Sequence, residues 1–256
     1  MTEVFDIKTE WLSKDFGKVQ AVKDLELKVK KGTTFGYLGP NGAGKTTTVR
    51  MLAGLLLPTN GRAKVCGFDV YTQREEIKRV TGLLPESPGL YSKLSAVEFL
   101  EFIGALNDFV GERLLKRIEK LLLLLGLEGR QHDLLESYSS GMKQKVLVAS
   151  TILHDPQLVF LDEPTSRLDP AASALVKEII RAMAEKTDTT FFICTHMTDL
   201  AEDICDVIGI ISNGTLTTYG TPQEVVDKVG GDNLQDAYLK IVGSKVNKED
   251  LLRWRS

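Results

Sequence analysis

The stretch Gly39-Pro40-Asn41-Gly42-Ala43-Gly44-Lys45-Thr46 fits the pattern G-x-x-x-x-G-K-[ST] at every fixed position. Glycines let a backbone curl until successive N–H groups aim at one anion. The lysine of such a loop puts positive charge on the β- and γ-phosphates of a nucleotide, and the hydroxyl beside it suits Mg²⁺. Lys45 and Thr46 supply those two groups. The candidate phosphate contacts are therefore Gly39, Pro40, Asn41, Gly42, Ala43, Gly44, Lys45, Thr46 and Thr47. Far downstream, Asp162-Glu163 follows the apolar run Leu158-Val159-Phe160-Leu161. A carboxylate there can hold Mg²⁺ through water, and the next one can polarise an attacking water. Asp162 takes the first role and Glu163 the second.

Chemistry of this kind needs a strand, then a loop, then a helix. Residues 34–38 read as a short strand running straight into the glycine-rich turn, and 45–56 read as the helix after it. The helix adds the positive end of its dipole to the anion site. Residues 158–161 read as a strand buried on both faces, which delivers the acidic pair at its carboxyl end, where ligands bind in open α/β sheets. Leu25, Leu27 and Val29 alternate with polar residues, as a half-buried strand does. Asp169 is placed to cap a helix with Pro170 at its first position, and Leu175, Val176, Ile179, Ile180 and Met183 form the apolar stripe. Residues 191–194 read as another buried strand. Asn213-Gly214, flanked by residues 207–211 and 215–219, is a hairpin signal. From 95 to 137 the pattern is leucine-rich and helical, so this stretch reads as a helical sublobe. Strands alternating with helices imply a mainly parallel α/β sheet.

Composition excludes several classes. The 256 residues are 43% hydrophobic and carry a formal net charge of -3, so no basic nucleic-acid footprint stands out and no nucleic-acid partner is expected. Cys66, Cys194 and Cys205 lie far apart with no CxxC pair, as in a reduced cytoplasmic protein. The first ten residues are polar and acidic, unlike a signal peptide. The leucine run 121–125 is too short to span a bilayer. A membrane role would need a partner chain.

Just upstream of the acidic strand lies Tyr138-Ser139-Ser140-Gly141-Met142-Lys143-Gln144-Lys145. A serine and a glycine at a helix start cap the helix, and they also form a second anion cup. This octet resembles the signature of ABC transporter ATP-binding proteins, LSGGQ followed by basic residues and glutamine. Phosphate loop, signature and acidic pair occur in the family's order. Ser166-Arg167-Leu168-Asp169 resembles its D-loop and Thr195-His196 its switch histidine. The resemblance spans about residues 5–219. It implies a P-loop NTPase fold with a mainly parallel core sheet, an N-terminal antiparallel β-subdomain and a helical sublobe at about 90–155. The expected organisation is one ATP-binding domain over 1–230 and a short tail over 231–256. The implied cofactors are ATP and Mg²⁺, with Thr46, Asp162 and Glu86 as metal ligands.

The resemblance also implies a mechanism. Two such domains pair head to tail, and each ATP sits between one chain's phosphate loop and the other chain's signature. Ser139 and Gly141 would contact the partner's γ-phosphate. Lys45, Glu163 and His196 would be catalytic, with His196 holding the γ-phosphate and the water. Identical subunits are favoured, peripheral on the cytoplasmic face of the membrane beside integral membrane subunits. Phe16 occupies the place of an aromatic ring that stacks on adenine, or else it is a core phenylalanine; sequence leaves both open.

The chain departs from the family pattern at several positions. Glu86, in Leu83-Leu84-Pro85-Glu86-Ser87, stands where the family has glutamine. Ser140 and Met142 replace a signature glycine and glutamine, and Arg167 stands where a small residue is common. Leu-Leu-Pro-Glu with Gly89-Leu90-Tyr91, the Tyr-Ser-x-Gly-Met-Lys-Gln-Lys octet, and the segment Leu234-Gln235-Asp236-Ala237-Tyr238-Leu239 resemble the branch serving drug, sodium and polysaccharide exporters. Export is expected over import. The competing readings are an ABC ATPase acting on ribosomes, DNA or iron–sulfur assembly, and a nucleotide-regulated binding module without turnover. Asn247-Lys248-Glu249-Asp250 matches the guanine-reading N-K-x-D, but it follows no buried strand.

Overall fold

The computed structural model describes residues 4–86, 89–166 and 168–243. Ser87, Arg167 and the N-K-x-D match at 247–250 lie outside the described residues. Two sheets organise the chain. The first contains β1 (Phe5–Phe16), β2 (Val19–Lys30), β4 (Asn60–Val65) and β5 (Phe68–Asp69), in the order β2-β1-β4-β5. Its neighbours are all antiparallel. The second contains β3 (Thr34–Leu38), β6 (Thr81–Leu84), β7 (Leu158–Asp162), β8 (Thr190–Thr195), β9 (Val207–Ser212) and β10 (Thr215–Gly220), in the order β10-β9-β3-β8-β7-β6. Every pairing in it is parallel except β9 with β10.

The sequence explains the difference between the sheets. β2 alternates buried and exposed residues through Leu25, Leu27 and Val29, because only one face meets the core. β3, β7 and β8 are buried at every residue, as a parallel sheet covered on both faces requires. Phe192 packs its ring 5.2 Å from both Phe35 and Tyr37 and 5.7 Å from Phe160, which ties three adjacent strands together on one face. A buried polar contact joins the two sheets: the Thr190 hydroxyl donates to Asp6 Oδ2 at 2.6 Å and accepts from the Gly32 N–H at 2.8 Å.

Helices cover the second sheet and build the sublobe. α1 (Lys45–Leu52) follows the glycine loop and is shorter than the 45–56 read from sequence. The N–H groups of Leu55 and Leu56 both turn back to the Arg50 carbonyl, and Gly54 takes a left-handed φ of 70°, so the chain has already left the helix. α2 (Arg74–Val80) leads into β6. In the sublobe, α3 (Ala96–Leu106) starts with a Ser95–Glu98 capping box, and α4 (Glu112–Leu124) buries Leu114, Ile118 and Leu122 at helical spacing. α5 (Ser140–Ile152) returns the chain to the sheet.

α6 (Pro170–Thr187) is capped as expected, with Asp169 Oδ1 accepting from the Ala172 N–H at 2.9 Å and Pro170 in the first turn. α7 (Thr198–Ile204) and α8 (Pro222–Val229) follow β8 and β10. The segment expected as a tail begins with α9 (Leu234–Val242). Leu234 and Ala237 on it are fully buried in the core cluster that includes Leu200 and Ala201 of α7. Among the described residues, no helix is long and apolar enough to cross a membrane.

Candidate active site

Four neighbouring parallel strands end at one edge, and that alignment assembles the site. Leu38 stands opposite Thr195, Asp162 opposite Cys194, and Leu84 opposite Leu161. The phosphate loop, Asp162-Glu163, Thr195-His196 and Pro85-Glu86 therefore leave the sheet side by side, at the end where open α/β sheets bind ligands.

The loop from Gly39 to Lys45 wraps a cleft of about 270 Å³. Pro40, Asn41, Gly42, Gly44, Lys45, Thr46 and Thr47 line it, together with Ala21, Glu86 and Asp162. Gly39 and Ala43 are buried in the same loop and do not line the cleft. Gly44 must be glycine: its φ is 109°, and a Cβ there would come within 2.4 Å of the Ala21 carbonyl oxygen. The Ala43 carbonyl accepts from the Gly214 N–H at 3.0 Å, and the Gly214 carbonyl accepts from the Lys23 N–H at 2.8 Å. The β9–β10 turn thus braces the loop from behind.

Lys45 is buried, and its ammonium donates to the carbonyls of Gly39 at 2.6 Å and Pro40 at 3.1 Å. Thr46 Oγ1 donates to Asp162 Oδ2 at 2.9 Å. Burial pushes the Asp162 carboxyl above the usual carboxylate range; the nearby charges of Glu86 and Glu163 add to this, while the Thr46 hydrogen bond and Lys45 oppose it. Thr46, Asp162 and Glu86 offer only hard oxygen donors at a cleft whose buried ammonium is already spent on backbone carbonyls. That donor chemistry fits a small divalent cation such as Mg²⁺.

Glu163 takes a left-handed φ of 51°. Its carboxylate is fixed from three directions: Thr195 Oγ1 donates to Oε2 at 3.0 Å, the His196 N–H donates to Oε1 at 3.0 Å, and His196 Nδ1 lies 2.7 Å from Oε1. Its own N–H donates to the Cys194 carbonyl at 2.9 Å. A carboxylate held next to an imidazole is a suitable acceptor for a water proton.

The other expected residues stand apart from the cleft. Ser139 caps α5, its hydroxyl accepting from the Met142 N–H at 3.2 Å, and it is exposed. Neither Ser139 nor Gly141 lines the cleft, so one chain does not bring its signature to its own Lys45. Phe16 ends β1 at 51% exposure, with Lys14 Nζ 5.2 Å from its ring centroid. It is no core residue: the ring is half exposed, with the Lys14 ammonium over one face. Sequence reasoning missed Ala21 and Gly214 at the phosphate loop. Asn213-Gly214 signalled the hairpin, but no local pattern tells which loop a hairpin tip will touch.

The family model described as "ABC transporter" matches residues 22–166, more than half of the chain. The chain belongs to the ABC transporter family. It is an ATPase subunit, similar along nearly its whole length to ABC transporter ATP-binding proteins. The linearmycin resistance ATP-binding protein LnrL of Bacillus subtilis (strain 168) is 33% identical over 98% of this chain and 79% of its own length. The bacitracin transport ATP-binding protein BcrA of Bacillus licheniformis is 39% identical over 82% of this chain and 68% of its own. The daunorubicin/doxorubicin resistance ATP-binding protein DrrA of Streptomyces peucetius is 36% identical over 90% and 69%. Among solved structures, the ATP-binding subunit of an ABC transporter superimposes with a TM-score of 0.85 at 28% identity, covering 92% of this chain and 98% of that one.

Proposed function

We propose that the chain powers an exporter as one of two identical ATP-binding subunits, bound at the cytoplasmic face of the membrane to separate integral membrane subunits. The observation that carries the reading is the divided set of groups. Lys45, Thr46 and Asp162 converge on one cleft, with Glu163 and His196 beside it, while Ser139 and Gly141 of the same chain stand outside it. A second copy facing head to tail supplies what the cleft lacks. The names of LnrL and DrrA, which speak of resistance, and of BcrA, which speaks of bacitracin transport, support export.

In this reading the loop N–H groups and Lys45 bind the β- and γ-phosphates. Lys45 leaves its carbonyl partners for the phosphate oxygens. Thr46 and Asp162 hold Mg²⁺, with Glu86 at the same cleft; when bound, the ion neutralises charge on the phosphate oxygens. Phe16 stacks on adenine. Glu163 accepts the proton of the attacking water, and His196 orients that water and the γ-phosphate. The partner's Ser139 and Gly141 complete the phosphate cradle with a hydroxyl and backbone N–H groups. Residues 1–230 form the ATP-binding domain, with α9 packed onto it.

Hydrolysis by the purified chain tests the reading. Glu163→Gln should abolish turnover and retain ATP binding, with the pair accumulating as an ATP-dependent dimer in size-exclusion chromatography. Undiminished hydrolysis in Glu163→Gln would remove Glu163 from the role of base.

A further inference from the structure

α5 joins two sites that serve different ATP molecules. Its N-cap, Ser139, is the group offered to the partner's ATP under the functional reading above. Five residues on, about 7.5 Å along the helix axis, lies Gln144. Gln144 is only 5% exposed, and its Nε2 donates to the Pro164 carbonyl at 3.1 Å. Pro164 directly follows Glu163, the group expected to act on this chain's own ATP.

The surroundings make this contact more than a packing detail. Pro164 is buried and carries no N–H of its own, so Gln144 engages the one polar backbone group that residue has. Glu163 holds a left-handed φ of 51°, a conformation that L-residues keep only when their surroundings impose it. Cys194, Thr195 and His196 fix Glu163 from the β8 side. Gln144 fixes the following residue from the α5 side. α5 is itself tied down, with Lys145 Nζ donating to the Leu125 carbonyl at 2.8 Å and the Arg117 guanidinium to the Leu153 carbonyl at 3.1 Å. Ser139 and the backbone beside Glu163 are therefore joined through one braced helix.

We infer that Gln144 is a positioning residue that couples the two ATP sites of the pair: engagement of the partner's ATP at Ser139 sets, through the Gln144–Pro164 hydrogen bond, the orientation of Glu163 at this chain's own ATP. This inference rests on the two-chain reading proposed above. It adds a route by which an empty site holds its neighbour's base out of register until both ATPs are bound.

The test uses the full-length chain with Gln144→Met, which keeps the length of the side chain and removes its donor. ATP affinity is followed with a fluorescent ATP analogue, hydrolysis against ATP concentration, and folding by thermal melting. Affinity should stay within about twofold of wild type, since no phosphate ligand is touched, while kcat falls at least tenfold. The Hill coefficient for ATP should drop from about 2 towards about 1. A merely structural amide would not separate kcat from binding or change cooperativity. Gln144→Asn, which keeps the amide and withdraws it by one methylene, should give the same pattern and carries the test if the methionine variant does not fold. Unchanged kcat and Hill coefficient in a folded variant, or a loss of affinity matching the loss of kcat, would overturn the inference. A wild-type chain that hydrolyses ATP without cooperativity would also overturn it and leave the ATPase reading standing.

Discussion

The brace behind the phosphate loop offers a test that no motif suggests. Gly214 has a φ of 82°, donates its N–H to the Ala43 carbonyl at 3.0 Å, and accepts from the Lys23 N–H at 2.8 Å. In Gly214→Ala, the new Cβ would lie 2.9 Å from the Ala21 carbonyl oxygen, a backbone atom that cannot swing aside. The left-handed φ alone costs an L-residue about 1–2 kcal/mol, and with the close contact the strain comes to about 1–3 kcal/mol. The turn relieves that strain by moving away from β2, and the loop then loses its support at Ala43. Expressed in nucleotide affinity, such strain weakens binding roughly 5- to 150-fold. Expressed in folding, it lowers Tm by about 2–4 °C per kcal/mol in a chain of this size. Titration with a fluorescent ATP analogue and a thermal melt read both. At least a fivefold loss of affinity is expected. The neighbouring Asn213→Gly is the control: Asn213 has a φ of 50°, which glycine adopts freely, so this variant should bind like wild type. Wild-type affinity and Tm in Gly214→Ala, or equal damage from both variants, would refute the brace.

Three further outcomes follow from single contacts. Phe16→Ala should weaken ATP binding by about 1–3 kcal/mol, the usual worth of a base–aromatic stack, with little change in Tm because Phe16 is half exposed; equal binding would remove it from the adenine site. Glu86→Gln should shift the Mg²⁺ titration of ATPase activity and make hydrolysis less dependent on free Mg²⁺, because Glu86 brings a second carboxylate to the cleft; superimposable curves would deny it a role at the metal. Asp6 carries a pH signature. Burial raises its carboxyl above the usual value of 3.8, with the Thr190 hydrogen bond and Lys31 opposing. The folded state therefore binds more protons than the unfolded state as pH rises from that value, and stability falls with pH across this window. Asp6→Asn keeps an acceptor for Thr190 and removes the charge, so its Tm should exceed wild type at pH 8, with the gap closing as pH falls towards 4. A gap independent of pH would contradict the assignment.

What the sequence discloses about this site follows from how local each feature is. Gly39 to Thr46 is legible because its chemistry depends on one short turn. Asp162-Glu163 and Thr195-His196 are legible because each directly follows a short apolar run that reads as a buried strand. Phe16 was ambiguous because exposure, not residue type, decides between core and binding surface. The features that escaped are contacts across long sequence distances: Ala21 beside Gly44, Gly214 on Ala43, Asp6 on Thr190, Gln144 on Pro164. None leaves a periodic trace. The packing of α9 was hidden for another reason. Leu234 and Ala237 are too few to mark a core helix until α7 stands beside them.

The central claim is that each ATP is served by Lys45 of one chain and Ser139 of the other, and complementation tests it most directly. Lys45→Ala and Ser139→Arg chains, each also carrying Glu163→Gln to stop turnover, are mixed in equal amounts with ATP and followed by size-exclusion chromatography. In a mixed pair both lesions fall on one site and the other site is whole. Each chain alone should stay monomeric, while the mixture should yield an ATP-dependent dimer with one chain of each kind. A mixture as monomeric as its components, or a Ser139→Arg chain that pairs on ATP as readily as Glu163→Gln by itself, would contradict a site shared between two chains.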